Sequence, residues 1–228
     1  MIVDERMATY LESISWQISP HLREVEEKAR EREVPIIRRS MQSLLAFLIR
    51  LQKPERVLEI GTAVGFSAML MREELPKEAV FDTIEKVPAR IRDARENFAN
   101  FNHEEDIHLL EGDAAEVLER LVSEGKQYDF IFMDAAKGQY SVFLEFIEKL
   151  LVPGGMLVTD NVLQDGEIIQ SRYAVNRRDR TIHGRMRDFL YYLTHSEQWD
   201  SVILPVGDGV AISVKKGDVP VIVDNTCK

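Results

Sequence analysis

From Arg56 onward the chain switches repeatedly between strand-length apolar runs and helical spacing, and this alternation restricts the fold more than any other feature. Strands are predicted at residues 56–60, 80–84, 107–110, 128–133 and 155–158, with helices at 66–74, 88–100, 114–123 and 140–151 between and after them. Strands that alternate with helices in this way give a doubly wound α/β domain. A further helix at 185–193 is followed by two short runs, 201–205 and 210–214, joined by Val206-Gly207-Asp208-Gly209. A parallel crossover needs about a dozen residues or more, so this pair is a hairpin and the last strand runs antiparallel to its neighbour.

Ahead of the alternation, residues 10–32 carry Leu11, Ile14, Ile18, Leu22 and Val25 at helical spacing, and Pro20 divides the segment into two helices. Residues 36–51 repeat Met41, Leu44, Leu45 and Leu48 and form a third helix. One domain over residues 1–228 is therefore expected: N-terminal helices at 1–50, the α/β core at 51–216 and an irregular tail at 217–228. The apolar runs are too short to span a bilayer, the charged N-terminus has no secretory signal, and a lone Cys227 suits a reducing cytoplasm.

Two of the strands end in oxygen donors. Phe130-Ile131-Phe132-Met133 stops at Asp134, and Leu157-Val158-Thr159 stops at Asp160-Asn161. Residues just past the carboxyl ends of parallel strands line the ligand crevice, so Asp134, Asp160 and Asn161 are brought together there. Carboxylates with an amide carbonyl suit a hard cation such as Mg²⁺, which takes one or two carboxylates and keeps room for waters and substrate oxygens. The plain alternative is that each Asp caps the segment that follows it.

Three more strand ends carry polar signals. Glu59-Ile60-Gly61-Thr62-Ala63-Val64-Gly65 leads from the first strand into a helix, where a nucleotide-like ligand meets backbone. Its G-x-x-x-G spacing lacks the third glycine of dinucleotide folds, which argues against a dehydrogenase. Glu85 at the second strand end can accept from both hydroxyls of a ribose. Asp113 and Ala114 at the third can hold the edge and face of an adenine, although Asp113 also suits a helix N-cap.

These motifs, in this order, resemble the cation-dependent O-methyltransferases of the catechol and caffeoyl-CoA type over about residues 34–216. The resemblance rests on residues 58–67, Glu85, Gly112-Asp113-Ala114, Asp134-Ala135-Ala136-Lys137 and Asp160-Asn161-Val162. It implies a Rossmann-like, seven-stranded sheet with a final antiparallel strand, S-adenosylmethionine as methyl donor, a divalent cation and a homodimer. By the same likeness Met41, Glu59, Gly61, Ser67, Glu85, Asp113, Ala114 and Asp134 hold the cofactor, while Asp134, Asp160 and Asn161 hold the metal. Within that family the chain is similar to the bacterial tRNA 5-hydroxyuridine methyltransferases, through Val34-Pro35-Ile36, Asp134-Ala135-Ala136-Lys137-Gly138-Gln139-Tyr140 and residues 159–163 and 203–213. This implies methylation of 5-hydroxyuridine at the tRNA wobble position to 5-methoxyuridine. The alternative is a small-molecule O-methyltransferase acting on catechols or other vicinal-oxygen substrates.

A hydroxyl attacks a sulfonium methyl best as its oxyanion, and two adjacent oxygens can chelate the cation that acidifies one of them. Lys137, one helical turn beyond Asp134, is placed to take the hydroxyl proton, or else is an exposed lysine. A net charge of −10 argues against non-specific nucleic-acid binding. Against that background Arg172, Arg177, Arg178, Arg180, Arg185 and Arg187 crowd one segment with His183, and Arg172, Arg177, Arg178 and Arg180 are the candidate RNA contacts. A solvated helix face paired with Asp179 and Asp188 is the other reading of that segment. Arg38 and Arg39 make a smaller basic cluster.

Overall fold

In the computed structural model, which describes residues 3–171 and 173–217, the alternation becomes one seven-stranded sheet of order β3-β2-β1-β4-β5-β7-β6. Strands β1 (Arg56–Ile60), β2 (Val80–Glu85), β3 (His108–Glu111), β4 (Tyr128–Met133) and β5 (Leu151–Thr159) are parallel. Strand β7 (Val210–Lys215) lies between β5 and β6 (Trp199–Leu204) and is antiparallel to both. The sheet and its antiparallel last strand are as the sequence leads one to expect. Among the described residues no helix is long and apolar enough to cross a membrane.

Successive side chains of a strand point to opposite faces, and here both faces are covered. Phe81, Phe130, Phe132 and Val158 pack on one side against α2 (Pro20–Glu31), α3 (Arg39–Gln52), α4 (Phe66–Glu74) and α5 (Pro88–Asn100). Leu58, Ile60, Ile131 and Met133 pack on the other against α6 (Ala114–Ser123), α7 (Tyr140–Leu150) and α8 (Arg180–His195). Phe130 and Phe132 are fully buried, and losing either ring should cost about 3–5 kcal/mol. A rigid central sheet of this kind is what fixes the strand ends that form the site.

The largest departures from the expected element boundaries are at three places. Strand β5 starts at Leu151 instead of 155, with an irregular register opposite Tyr128 and Phe130 that accommodates Pro153-Gly154. Helix α8 starts at Arg180, because His183, Met186, Phe189, Leu190 and Leu193 make one buried stripe that the interspersed arginines obscured. The N-terminal segment yields α1 (Glu5–Ser13), whose Asp4 side chain accepts from the amides of Arg6 and Met7, and then α2, capped by Ser19. Ile18, Leu22 and Val25 are buried, whereas Leu11 and Ile14 are exposed together with Met7 and Tyr10. Helix α1 packs along α3, where Phe47 and Leu51 are also exposed. The expected tail, Gly217 excepted, lies outside the described residues, as do Cys227 and Arg172.

Candidate active site

The carboxyl ends of the parallel strands open into a cavity of about 730 Å³. Met41, Gly61, Ser67, Glu85, Asp113, Ala114, Asp134, Asp160 and Asn161 all line it, so one chamber joins the two halves of the expected site.

Close backbone approach begins at the first strand end. Gly61 has φ +107°, and a Cβ there would sit 2.1 Å from the carbonyl oxygen of Asp134. Gly65, the N-cap of α4, has φ +84° and lies against the Phe98 ring, where a Cβ would meet carbon at 2.5 Å. Only glycine fits either place.

Glu85 is buried and accepts from the amides of Ala63, Lys86 and Val87, each at 2.9 Å, which fixes the carboxylate in the cavity wall. Asp113 is the N-cap that the sequence allows, and it also lines the cavity. It accepts the Ala115 amide at 3.0 Å as the N-cap of α6, and the Lys86 ammonium at 3.2 Å holds its carboxyl below the usual range, helped by that amide.

Glu59 departs from expectation. It shares a face of β1 with the buried Val57, so α4 covers it, and it does not line the cavity. It is fully buried and accepts from Ser67 Oγ and Thr83 Oγ1, both at 2.5 Å, and any hold on a ligand must pass through Ser67. Burial pushes the carboxyl up to about 7, against those two hydrogen bonds. The unfolded chain ionises Glu59 near 4.5, so this group subtracts stability as pH rises from about 4.5, and the full penalty is present above about 7. Glu59→Gln is expected to remove that slope, raising stability above pH 7 by an amount on the order of 3 kcal/mol and leaving it little changed below pH 4.5. Denaturant unfolding across the pH range measures this; a variant with the wild-type pH slope would remove Glu59 as the cause.

At the other end of the cavity, Asn161 Nδ2 donates to Asp134 Oδ1 at 2.9 Å, and the Asn161 amide donates to Asp160 Oδ1 at 2.7 Å. Asn161 has φ +62°, a left-handed conformation that asparagine tolerates and that turns its side chain back toward Asp134. Burial raises the Asp134 carboxyl above its ordinary value, and burial with the charge of Asp134 pushes Asp160 up to about 7. Two buried carboxylates that resist ionising together are what a divalent cation relieves. The donors fit such an ion sparsely. Among the described residues no three His, Cys, Asp or Glu side chains converge, so the set is two carboxylates and one amide, whose oxygen would face an ion only once the amide turned away from its hydrogen bond to Asp134.

Lys137 sits on a short 3-10 turn, Lys137–Gln139, and is not part of the cavity wall. It is near enough for its charge to lower the carboxyls of Asp134, Asp160 and Asp208. Tyr140, buried beneath the site, donates to the Asp160 carbonyl at 3.1 Å. The sequence marked Tyr140 only as one letter of a motif.

Sequence reasoning missed a second cluster. Arg38 Nη2 lies 2.6 Å from Asp208 Oδ1 and also donates to Asp165, while Arg39 pairs with the buried Glu26 at 2.8 Å. The two arginines that looked like one basic cluster therefore have separate acidic partners. Burial and a hydrogen bond with Asp165 push the Asp208 carboxyl up to about 6. The signal available in the sequence was an aspartate held between two turn glycines. A Cβ on Gly209 would come within 2.3 Å of Leu163, and Val162 and Leu163 donate their amides to the Gly209 and Asp208 carbonyls.

The arginine-rich segment is divided. Arg180, expected to face RNA, instead turns back to the carbonyls of Val175 and Tyr173 at 3.1 and 3.3 Å, bracing its own loop. Arg185 donates to the Gly138 carbonyl at 2.9 Å and ties α8 to the turn after Asp134. Arg177, Arg178 and Arg187 are exposed and form no ion pair among the described residues, so the partnering with Asp179 and Asp188 is absent there.

Comparison with known proteins places this geometry. The sequence profile of the O-methyltransferase family matches residues 12–216. The catechol O-methyltransferase of Niastella koreensis is 31% identical over 178 residues, covering 75% of this chain and 78% of that protein. A candidate caffeoyl-CoA O-methyltransferase from Staphylococcus aureus superposes with a TM-score of 0.84 at 32% identity, over 92% of this chain and all of that one (100%). The SAH-bound methyltransferase PaMTH1 of Podospora anserina gives a TM-score of 0.82 at 29% identity, over 93% and 95% of the two chains.

Proposed function

Because this chain belongs to the O-methyltransferase family, we propose that it is a cytoplasmic enzyme using S-adenosylmethionine and Mg²⁺, or another divalent cation, to methylate 5-hydroxyuridine at the tRNA wobble position to 5-methoxyuridine. The observation that carries the reaction type is the single cavity that joins Glu85 and Asp113 at one end to Asp134, Asp160 and Asn161 at the other. The SAH-bound relative supports the cofactor.

When bound, the cation lowers the pKa of an acceptor hydroxyl, and the cofactor offers it an electrophilic methyl group. The chain's own residues hold and align. Glu85, already fixed by three amides, presents its remaining lone pairs to a ribose, Asp113 and Ala114 border the adenine, and buried Met41 packs against the ligand. Tyr140 steadies the end of β5 through the Asp160 carbonyl, and Lys137, acting as the free amine, takes the acceptor proton as the oxygen is methylated.

An RNA acceptor is supported by Arg177, Arg178 and Arg187, all exposed, and by Tyr173, which is 85% exposed, in a chain of net charge −10. Replacing these three arginines with Ala should flatten the log–log salt dependence of tRNA binding by about 2–3 in slope, since each neutralised phosphate contributes roughly 0.7–0.9. Binding measured over a salt series tests this, and an unchanged slope removes the arginines from the interface. The second reading, a small-molecule O-methyltransferase for vicinal oxygens, is favoured by the name of the Niastella relative.

Nucleoside mass spectrometry of tRNA from cells with and without the gene separates the two, alongside purified enzyme offered hypomodified tRNA or a catechol. Ready methylation of the catechol with tRNA untouched replaces the first reading by the second. The exposed row Met7, Tyr10, Leu11 and Ile14 beside Phe47 and Leu51 supports a homodimer as the working form. Sedimentation that finds only a monomer overturns that part.

A further inference from the structure

Three segments far apart in sequence come together at the Asp134 and Asp160 end of the cavity: residues 35–38 ahead of α3 and Gly207-Asp208 between β6 and β7 line it, and residues 164–166 join them through the pairing of Asp165 with Arg38. Arg38 is where they meet. Its Nη2 donates to both oxygens of Asp165, each at 3.2 Å, and stands 2.6 Å from Asp208 Oδ1. Gly207 lies against its stem, where an added Cβ would touch Arg38 Cβ and Cδ at 3.9 Å.

Gln164, Asp165 and Gly166 all have positive φ, 51°, 54° and 92°. Two of these are not glycines, and such a turn persists only where its surroundings hold it. Arg38 and Asp208 also line the cavity that contains Asp134, Asp160 and Asn161, so one guanidinium fastens a strained turn to the edge of the reacting space. The side chains of Arg38 and Asp165 are 42% and 47% exposed, which leaves their pairing open to water and salt and therefore easily released.

We infer that Arg38 is a positioning residue that latches residues 164–166 and 206–209 over the acceptor end of the cavity, releasing them for acceptor binding and product departure. The part that concerns an acceptor rests on the transferase reading, whereas the latch itself does not. The chemistry also permits the charges to be exchanged. R38E/D165R keeps a cation and an anion within reach of one another and leaves Asp208 beside them, whereas R38E alone sets a third carboxylate against Asp165 and Asp208.

The experiment compares R38E, D165R and the double variant R38E/D165R by hydrogen–deuterium exchange and by kinetics. R38E should speed amide exchange in residues 163–168 and 206–209 by about tenfold and raise the acceptor KM by about tenfold, with cofactor affinity changed less than about twofold. The double variant should restore both. Wild-type protein in high salt should show the same faster exchange in the same segments without any mutation. Unchanged exchange in R38E, or a folded double variant that stays as fast as R38E, overturns the latch. If exchange follows the expected pattern while no acceptor is methylated by wild-type enzyme, the latch stands and the transferase reading falls.

Discussion

Asp160→Ala should abolish methyl transfer, lowering turnover by about 10³-fold or more, while making the cation-free protein more stable. The two effects have one origin. Asp160 is buried beside Asp134 and its carboxyl is pushed up to about 7, so removing it relieves a desolvated charge when no cation is present. The same removal takes away one of only two carboxylate donors, and several kcal/mol of charge stabilisation in the transition state go with it. Chelation by EDTA should inhibit wild-type enzyme and Mg²⁺ restore it, with no such response in the variant. Thermal melts with and without Mg²⁺ supply the second readout: wild type gains stability from the ion and the variant does not. Retention of full activity in metal-free Asp160→Ala would falsify the cation assignment.

Gly61→Ala is expected to damage both ends of the site through backbone alone. The added Cβ lies 2.1 Å from the Asp134 carbonyl oxygen, and φ +107° is poorly tolerated by alanine. Neither atom can yield cheaply, because Gly61 donates to the Ile84 carbonyl and the Asp134 amide donates to the Ile60 carbonyl. A loss of roughly 2–5 kcal/mol in unfolding free energy follows from strain plus overpacking. Cofactor affinity, measured by calorimetry on the folded fraction, should fall at least about tenfold as β1 and β4 are pushed apart. Wild-type stability and affinity in this variant would show that the two strand ends are not in contact.

The strands were legible because their apolar runs are of strand length, and the helices because Leu45, Leu48 and Ile49, or Leu118 and Leu121, recur at helical spacing. The antiparallel last strand was legible from geometry, since four residues cannot carry a parallel crossover. That β7 also slots beside β5 was not, because pairing between Met156 and Val214 depends on which strand edge remains free. At the site, acids at strand ends announced Glu85, Asp134 and Asp160. The same rule misplaced Glu59, which is level with Thr83, two residues short of Glu85 on the same face, and so lies beneath Ser67 of α4. The pairing of Arg38 escaped notice because its partners lie 127 residues away at Asp165 and farther still at Asp208, and no local pattern links them. Arg180 misled because charge density along a chain does not say which guanidinium its own loop will use.

The slot that β7 occupies also governs the order in which a nascent chain can become active. Every strand from β1 to β5 leaves the ribosome before the hairpin does, yet β5 keeps an open edge until residues 210–215 arrive to fill it. The turn that carries Asp208, and Gly209 against Leu163, is delivered only then. A chain released before Val210 therefore holds most of its cofactor wall but has neither a finished acceptor rim nor a protected sheet edge, and self-association through β5 is its natural fate.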